Sequence, residues 1–583
     1  RAALLKGRSN YACRWRVQQI EDEAKQGALP GMGIADGASF RSIEAAEAWP
    51  TFRAWLDTTE TGDIDAELSI PRELQTDVTV DSDTCLGQKC PCHGACFAER
   101  AKALAKDAQV VVVNHSLLLR DLELRYQTDD HVAVLPGADA IVLDEAHHLE
   151  DIATDAFGRE VTMGRWLRMA RRLVKLTTEH RAVTSEPDGS EIKDRALRWF
   201  TKLEHAERQL AAVLDTIADR LQAAKASTQR LGDEQHAAPV VEALAALAEE
   251  LTGFAPDWLE TDQREMWRKL SISVAKLADD LSLIMLPTNP DVVRYAELEI
   301  RDKARRVVTL IAKPIDVSDA LRVRLFEKFP SVIAVSATIA TGDGMGYWRK
   351  RVGCDDASEL VAGSPFDYHR NALLYLPQNG AAFEPKHHGQ EGSIDYLERL
   401  AAEIEQLLLA SRGRAFVLFT SFRTLNDVYE RLAPRLRNSY LVLKQGNGMR
   451  RAELVQRFKE DGNAILFGVK SFWEGVDIAG EALSLVIIDK IPFVPPDDPV
   501  WEARVESCKR RGGNWFGELA LPFAIINLKQ GFGRLIRTKV DRGVIALMDG
   551  RLSQRGYGHQ IIKALPPATQ TRSLEAVRAF FGS

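Results

Sequence analysis

The chain has 583 residues, 45% of them hydrophobic and 27% charged, an ordinary globular composition with room for about four domains. Lys plus Arg number 76 and Asp plus Glu 83, a net charge of −7; this excludes a wholly basic nucleic-acid-coating protein but leaves local basic grooves open. No apolar run approaches the roughly 18 residues of a bilayer span, and the first residues carry no signal-peptide core, so a cytoplasmic protein with no membrane partner is expected.

In chain order, Trp15, Val17 and Ile20 begin a helical pattern that stops near Gly27. Gly27–Gly37 reads as loop, and Thr51–Leu56 and Glu67–Leu74 as short helical pieces. Phe97–Ala108 is rich in good helix formers. Val110–Val113 reads as a buried strand, and so does Ala140–Leu143, which ends on Asp144-Glu145-Ala146-His147-His148.

From about 150 to 310 the pattern changes. Leu203, Ala206, Leu210, Val213 and Ile217 recur at helical spacing, as do Leu244, Leu247 and Leu251, and then Trp267, Leu270, Val274, Leu277, Leu281 and Ile284. This predicts a helical bundle inserted between two parts of an α/β core. The α/β pattern resumes at Val332–Val335, a strand ending in Ser336-Ala337-Thr338. Further strands are predicted at Ala415–Phe419, Tyr440–Leu443, Ala464–Phe467, Leu485–Ile488 and Gly543–Met548. Helices are predicted at Ile394–Ala410, Thr424–Leu432 and Ala452–Phe458. Alternating strands and helices imply a parallel sheet covered on both faces, hence an α/β fold class.

Four of the seven cysteines, Cys85, Cys90, Cys92 and Cys96, fall in one Gly/Pro-containing stretch, with Cys13 upstream. In a large cytosolic chain such a cluster reads as a metal site. Spacing alone leaves zinc and an iron–sulfur centre both open: zinc takes four N/S ligands, whereas a cluster takes four thiolates, one often remote in sequence. Cys354 and Cys508 stand alone and read as structural.

Asp144 and Glu145 follow a fully apolar strand, where one carboxylate can hold Mg²⁺ and its neighbour can orient a water for attack on a γ-phosphate. Ser336-Ala337-Thr338 can couple a phosphate site to a neighbouring domain, although taken alone it reads better as a cap of the following helix or turn. In Gln530-Gly531-Phe532-Gly533-Arg534-Leu535-Ile536-Arg537, Arg534 and Arg537 are spaced to share one helical face, with Gly533 allowing close approach. Paired guanidiniums suit a triphosphate gaining charge in its transition state; a salt-bridged surface helix is the plainer reading. Gly462, Gly468, Lys470 and Ser471 nearly spell a phosphate-cradling loop, but five residues separate the glycines and Val469 precedes the lysine, so the match fails. No other segment spells GxxxxGK[ST].

Taken together, these segments resemble superfamily 2 iron–sulfur DNA helicases of the DinG/YoaA type, the bacterial relatives of XPD, over nearly the whole chain. Lys6–Cys13 resembles the segment of the first cluster ligand, and Cys85-x4-Cys90-x5-Cys96 the other three. The resemblance implies a [4Fe-4S] cluster on Cys13, Cys85, Cys90 and Cys96, with Cys92 spare. Val112-Val113-Asn114-His115 resembles the family's strand end before the DEAH box. Asp144–His147 resembles motif II, Ser336–Thr338 motif III, Phe419–Ser421 motif IV and Gly475–Asp477 motif V; Gln530, Gly533, Arg534 and Arg537 match motif VI.

By that resemblance Asp144 holds Mg²⁺, Glu145 is the catalytic carboxylate, Arg534 and Arg537 are arginine fingers, and His147, Gly475, Asp477, Gln530 and Gly533 line the ATP site. It implies two RecA-like parallel-sheet domains, with an iron–sulfur insertion and a helical arch insertion in the first. The domains would be a cluster region at 1–108, first RecA-like segments at 109–150 and 311–345, an arch at 151–310, and the second RecA-like domain at 346–583. It further implies 5′-to-3′ translocation on single-stranded DNA driven by ATP, action on forked DNA in repair or replication conflicts, and a monomer. Arg14, Arg16, Lys470 and Trp473 are candidate DNA contacts. The phosphate loop of this family lies before motif II, which leads us to expect an N-terminally truncated chain that is inactive alone. A catalytically silent iron–sulfur nucleic-acid-binding protein with a helicase fold is the alternative.

Overall fold

The structure, a computed structural model, describes residues 1–27, 43–81, 84–178, 189–232, 237–253, 261–286, 289–301, 305–342, 344–386, 389–469, 472–473 and 482–582. The loop predicted at Gly27–Gly37 lies, after Gly27, outside the described residues, and so do Lys470, Gly475 and Asp477. The chain forms two compact units, one of Arg1–Leu143 with Leu149–Ile333, the other of Asp144–His148 with Ala334–Ser583.

In the first unit, β1 (Ala2–Leu4) pairs in parallel with β2 (Val110–Val112). β3 (Ala140–Leu143) pairs with β8 (Ser331–Ala334), two strands nearly two hundred residues apart, with the helical segment between them. The predicted strands at 110 and 140 therefore exist, but their burial does not follow: Val110, Val112 and Val142 are exposed. Among the described residues each belongs to a two-stranded sheet, too narrow to enclose both faces.

The cysteine region is organised by the Arg14–Gly27, Ile43–Thr58, Arg72–Val78 and Phe97–Lys106 helices. Tyr11, Val17, Trp49, Phe52, Leu56, Ile64, Leu74 and Phe97 form their shared core. The Ile43–Thr58 helix is longer than the predicted piece and carries Pro50 inside.

The bundle consists of the Met163–Thr178, Gly189–Ala223, Ala238–Gly253 and Thr261–Met285 helices. The leucines, valines and isoleucines singled out by their spacing are its core; Leu244, Leu270, Val274, Leu277 and Leu281 are almost fully buried. Each such side chain contributes about 1.5–3 kcal/mol of burial.

One feature corrects the all-helical expectation. A four-stranded antiparallel sheet in the order β4-β7-β6-β5 closes the bundle: β4 is Arg159–Thr162, β5 Thr228–Arg230, β6 Val292–Arg301 and β7 Arg305–Pro314. β6 and β7 pair from Val292↔Pro314 to Arg301↔Arg305. Ala296, Leu298, Val308 and Leu310 turn one face of the sheet into the helical core.

The second unit is built on a parallel sheet in the order β11-β12-β10-β13-β14-β9-β15. The strands are β9 (Ala372–Tyr375), β10 (Ala415–Leu418), β11 (Val442–Lys444), β12 (Ile465–Gly468), β13 (Leu485–Ile488), β14 (Gly543–Leu547) and β15 (Thr569–Thr571). β9, β10, β12, β13 and β14 are buried at every position, as expected of parallel strands covered on both faces. The Ser393–Ala410 and Phe422–Leu436 helices pack on one face, and the Leu521–Phe532 helix on the other. Ser421 caps the Phe422–Leu436 helix by accepting from Thr424 N, so Phe419–Ser421 is a strand end running into a capped helix.

Candidate functional site

Asp144 and Glu145 leave the C-terminal end of β3, where an apolar strand hands over to the loop. Asp144 Oδ1 accepts the Glu145 amide at 3.0 Å, a tight local turn. Glu145 has φ +49°, a left-handed conformation that costs a side-chain-bearing residue energy and is often retained where function requires it. Its carboxylate is 59% exposed, free to meet a ligand.

His147 lies beneath it, with Nδ1 3.4 Å from Glu145 Oε2 and 2.8 Å from Ser336 Oγ. The Ala146 amide donates to Val335 O at 3.0 Å, and Trp348 Nε1 donates to Ala146 O at 2.8 Å. Asp144–His147 and Ser336–Thr338 are therefore joined in one hydrogen-bonded structure. Ser336 also accepts from Thr338 N at 3.2 Å, which is the turn-capping contact expected of this triplet. Trp348, which holds the loop from behind, was not singled out in the sequence; only its burial reveals it.

Gln530 is buried in the Leu521–Phe532 helix, and Gly533 caps that helix. Arg534 and Arg537 consequently lie beyond its end and do not share a helical face. Arg534 Nε donates to Trp473 O at 2.6 Å. The Arg537 and Thr538 amides both donate to Asp541 Oδ2, at 2.9 and 2.8 Å, which shapes the arginine-bearing turn. The helix stops because Gly531 and Gly533 disfavour its continuation. The close-approach glycine is Gly531, where a Cβ would sit 2.8 Å from Ile488 Cδ1; at Gly533 the nearest atom is 3.4 Å away. Next to Gln530, Lys529 Nζ donates to Ala340 O at 2.8 Å, and burial lowers the affinity of its amine for a proton.

In the cysteine region, burial pushes the Cys13 thiol up to about 12, with Cys90, Cys85 and Cys96 adding to the effect. These are the four thiols expected to act together. Burial also raises Cys90, with Cys92, Cys85 and Cys96 as neighbours. Cys92 Sγ faces Gln18 Oε1 at 3.8 Å. Arg8 Nη1 donates to Cys85 Sγ at 2.5 Å, while Arg8 Nη2 pairs with Glu99 at 2.9 Å. Among the described residues no three His, Cys, Asp or Glu side chains converge tightly enough to hold a single metal ion.

Of the candidate DNA contacts, Trp473 is 2% exposed and belongs to the core of the second unit, so it is withdrawn. The Arg14 guanidinium stacks over the Phe97 ring at 4.6 Å, and Arg16 pairs with Gln19 at 3.2 Å. Among the described residues no helix is long and apolar enough to cross a membrane.

Residues 404–568 match the family described as the helicase C-terminal domain. The chain is 35% identical to the ATP-dependent DNA helicase YoaA of Escherichia coli (strain K12), an alignment covering 99% of this chain and 84% of that protein. It is 32% identical to the ATP-dependent helicase DinG of Mycobacterium tuberculosis (strain ATCC 25177 / H37Ra), over 99% of this chain and 82% of that protein. A solved structure named XPD helicase shares the fold, with a TM-score of 0.52 at 15% identity, over 98% of this chain and 86% of that one. Aligned over nearly its whole length with relatives at this level of identity, the chain belongs to the YoaA/DinG family of ATP-dependent DNA helicases.

Proposed function

We propose that this protein uses ATP hydrolysis to translocate 5′ to 3′ on single-stranded DNA, acting as a cytoplasmic monomer on forked DNA in repair or replication conflicts. The observation that carries this reading is the motif II–III structure: Asp144 and Glu145 at a strand end, Glu145 held left-handed, and His147 tied to Ser336. Asp144 would hold Mg²⁺, which supplies positive charge to the phosphates; exposed carboxylate oxygens are the hard donors that ion takes. Glu145 orients the attacking water, and Arg534 and Arg537 meet charge developing on the γ-phosphate. His147, Gln530 and Gly533, with Gly475 and Asp477, complete the ATP site. The domain limits are those given above, with the bundle as the arch.

We further infer a [4Fe-4S] cluster on Cys13, Cys85, Cys90 and Cys96. What supports this set is that Cys90, Cys85 and Cys96 each act on the Cys13 thiol and that Cys92 Sγ meets Gln18 Oε1, although Cys92 also acts on Cys90. The cluster would neutralise thiolates that are otherwise costly to ionise together, and it would brace the loop that carries them.

Two experiments test the reading. Anaerobically purified protein is analysed for iron, acid-labile sulfide and zinc; equal iron and sulfide, lost in Cys90→Ala, supports it, and zinc without sulfide overturns the cluster. Binding to fluorescent 5′-tailed forks is followed by anisotropy against salt; a steep salt dependence and preference for the tailed substrate over blunt duplex is expected. These 583 residues contain no GxxxxGK[ST] loop, so by themselves they are expected to show no ATP turnover. DNA-stimulated turnover abolished by Glu145→Gln would overturn that expectation.

A further inference from the structure

The Thr261–Met285 helix belongs to the bundle, yet two of its side chains, Glu265 and Lys269, reach the cysteine loop. Glu265, Arg268 and Lys269 stand at helical spacing on one face. Glu265, its side chain only 9% exposed, accepts from Lys89 Nζ at 3.0 Å and pairs with Arg268 at 2.7 Å. These two cations hold its carboxyl down at about 2. Lys269 Nζ donates to the main-chain carbonyl of Cys85. Cys85 is thus approached by two cations from different parts of the unit, Arg8 at its sulfur and Lys269 at its carbonyl. Lys89 and Cys85 lie in the same short loop, so the bundle helix grips the loop at both points.

We propose that Lys269 is a positioning residue of the cysteine site, a fixed cation through which the bundle holds the Cys85–Cys96 loop and favours negative charge on its thiolates. The proposal rests on the [4Fe-4S] reading. A cluster on four thiolates is an anion, and one further electron from an added reductant makes it more negative without breaking a bond. A nearby fixed cation stabilises the reduced form more than the oxidised form and raises the reduction potential; net charge and local hydrogen bonding are recognised determinants of that potential. Glu265 does the opposite electrostatically while anchoring Lys89, so the two residues make separable predictions.

The test is a mediated redox titration of the purified protein, followed by electron paramagnetic resonance, together with the rate of iron release to a chelator. In Lys269→Met the midpoint potential moves to more negative values and iron release accelerates several-fold. Lys269→Arg restores both toward the parent protein, which a purely space-filling role would not require. In Glu265→Gln release also accelerates, because Lys89 is freed, but the potential moves the other way. Thermal unfolding of each variant identifies any that fails to fold, and Lys269→Arg keeps the comparison usable if Lys269→Met does. A cluster present in every variant with unchanged potential and release rate overturns the role of Lys269 and leaves the cluster standing. Parent protein without iron and sulfide overturns both.

Discussion

His147 Nδ1 and Ser336 Oγ lie 2.8 Å apart although 189 residues separate them, with the helical bundle between them in sequence. The contact ties the DEAH loop to the strand end that follows β8. The imidazole is only 5% exposed, so water is a poor substitute for the hydroxyl. Ser336→Ala is expected to lose about 0.5–1.5 kcal/mol in urea denaturation. Ser336→Thr, which keeps the hydroxyl, should recover most of it; equal losses in the two would assign the effect to packing.

The left-handed backbone at Glu145 yields a second prediction. Glu145→Gly and Glu145→Ala both remove the carboxylate, but only glycine adopts φ +49° without a Cβ penalty. Glu145→Gly should therefore be the more stable of the two by about 1 kcal/mol. Denaturation midpoints in the reverse order would mean the loop relaxes out of this conformation.

Asp489 predicts a pH dependence. It is fully buried at the end of β13, and desolvation pushes its carboxyl from the ordinary 3.8 up to about 7. Lys490 and the amides of Thr420 and Lys490 pull the other way, while Asp549 adds to the rise. The folded protein therefore keeps a proton that the unfolded chain has lost. Stability from this group is full below about 3.8 and declines as pH rises through about 7. Asp489→Asn keeps an oxygen acceptor for Thr420 N and cannot ionise. Its thermal midpoint should fall less than the parent's between pH 5 and pH 8, roughly, with a relative gain on the order of 1 kcal/mol at the alkaline end. Parallel pH profiles would rule this out.

Gly531 and Gly533 should behave differently. A Cβ at Gly531 meets Ile488 Cδ1, the far end of a flexible side chain, at 2.8 Å, so Gly531→Ala makes Ile488 change its side-chain conformation in the core and is expected to cost about 1 kcal/mol. At Gly533 the nearest atom is 3.4 Å away, and Gly533→Ala should cost well under half as much. Urea midpoints of the two variants decide it.

The cysteines give the last prediction. Cys96→Ser is expected to purify without iron, whereas Cys92→Ser keeps it, because Cys92 Sγ meets Gln18 Oε1. Iron retained in Cys96→Ser and lost in Cys92→Ser would exchange their roles.

Legibility in the sequence followed the strength of the pattern. The bundle helices announced themselves through long runs at helical spacing, and Val486, Ile487 and their neighbours through unbroken apolar stretches. β6 and β7 were missed inside a segment dominated by helical spacing. The signal was there in the alternation Ala296-Glu297-Leu298-Glu299-Ile300 and the β-branched run from Val307, but short alternations lose to long helical ones when a window is averaged. β15 could not be read, because Thr569-Gln570-Thr571 has no apolar character and is a strand only by pairing with β9. The arginine pair was found by motif, yet its helix was wrongly extended, because local spacing does not show that glycines end it at residue 533. Asp144, Glu145 and Ser336 were legible as strand-end polar residues; their connection through His147 is tertiary and was not.

The strand order of the second unit also bears on synthesis. β9, the first strand of its sheet to be translated, lies between β14 and β15, the last two. It therefore emerges from the ribosome with neither hydrogen-bonding neighbour in existence, and nearly two hundred more residues must follow before it gains both. Until then a fully apolar strand has to be shielded by other means, which makes this half of the protein a candidate for slow, chaperone-assisted maturation and sensitive to any loss of its last fifteen or so residues.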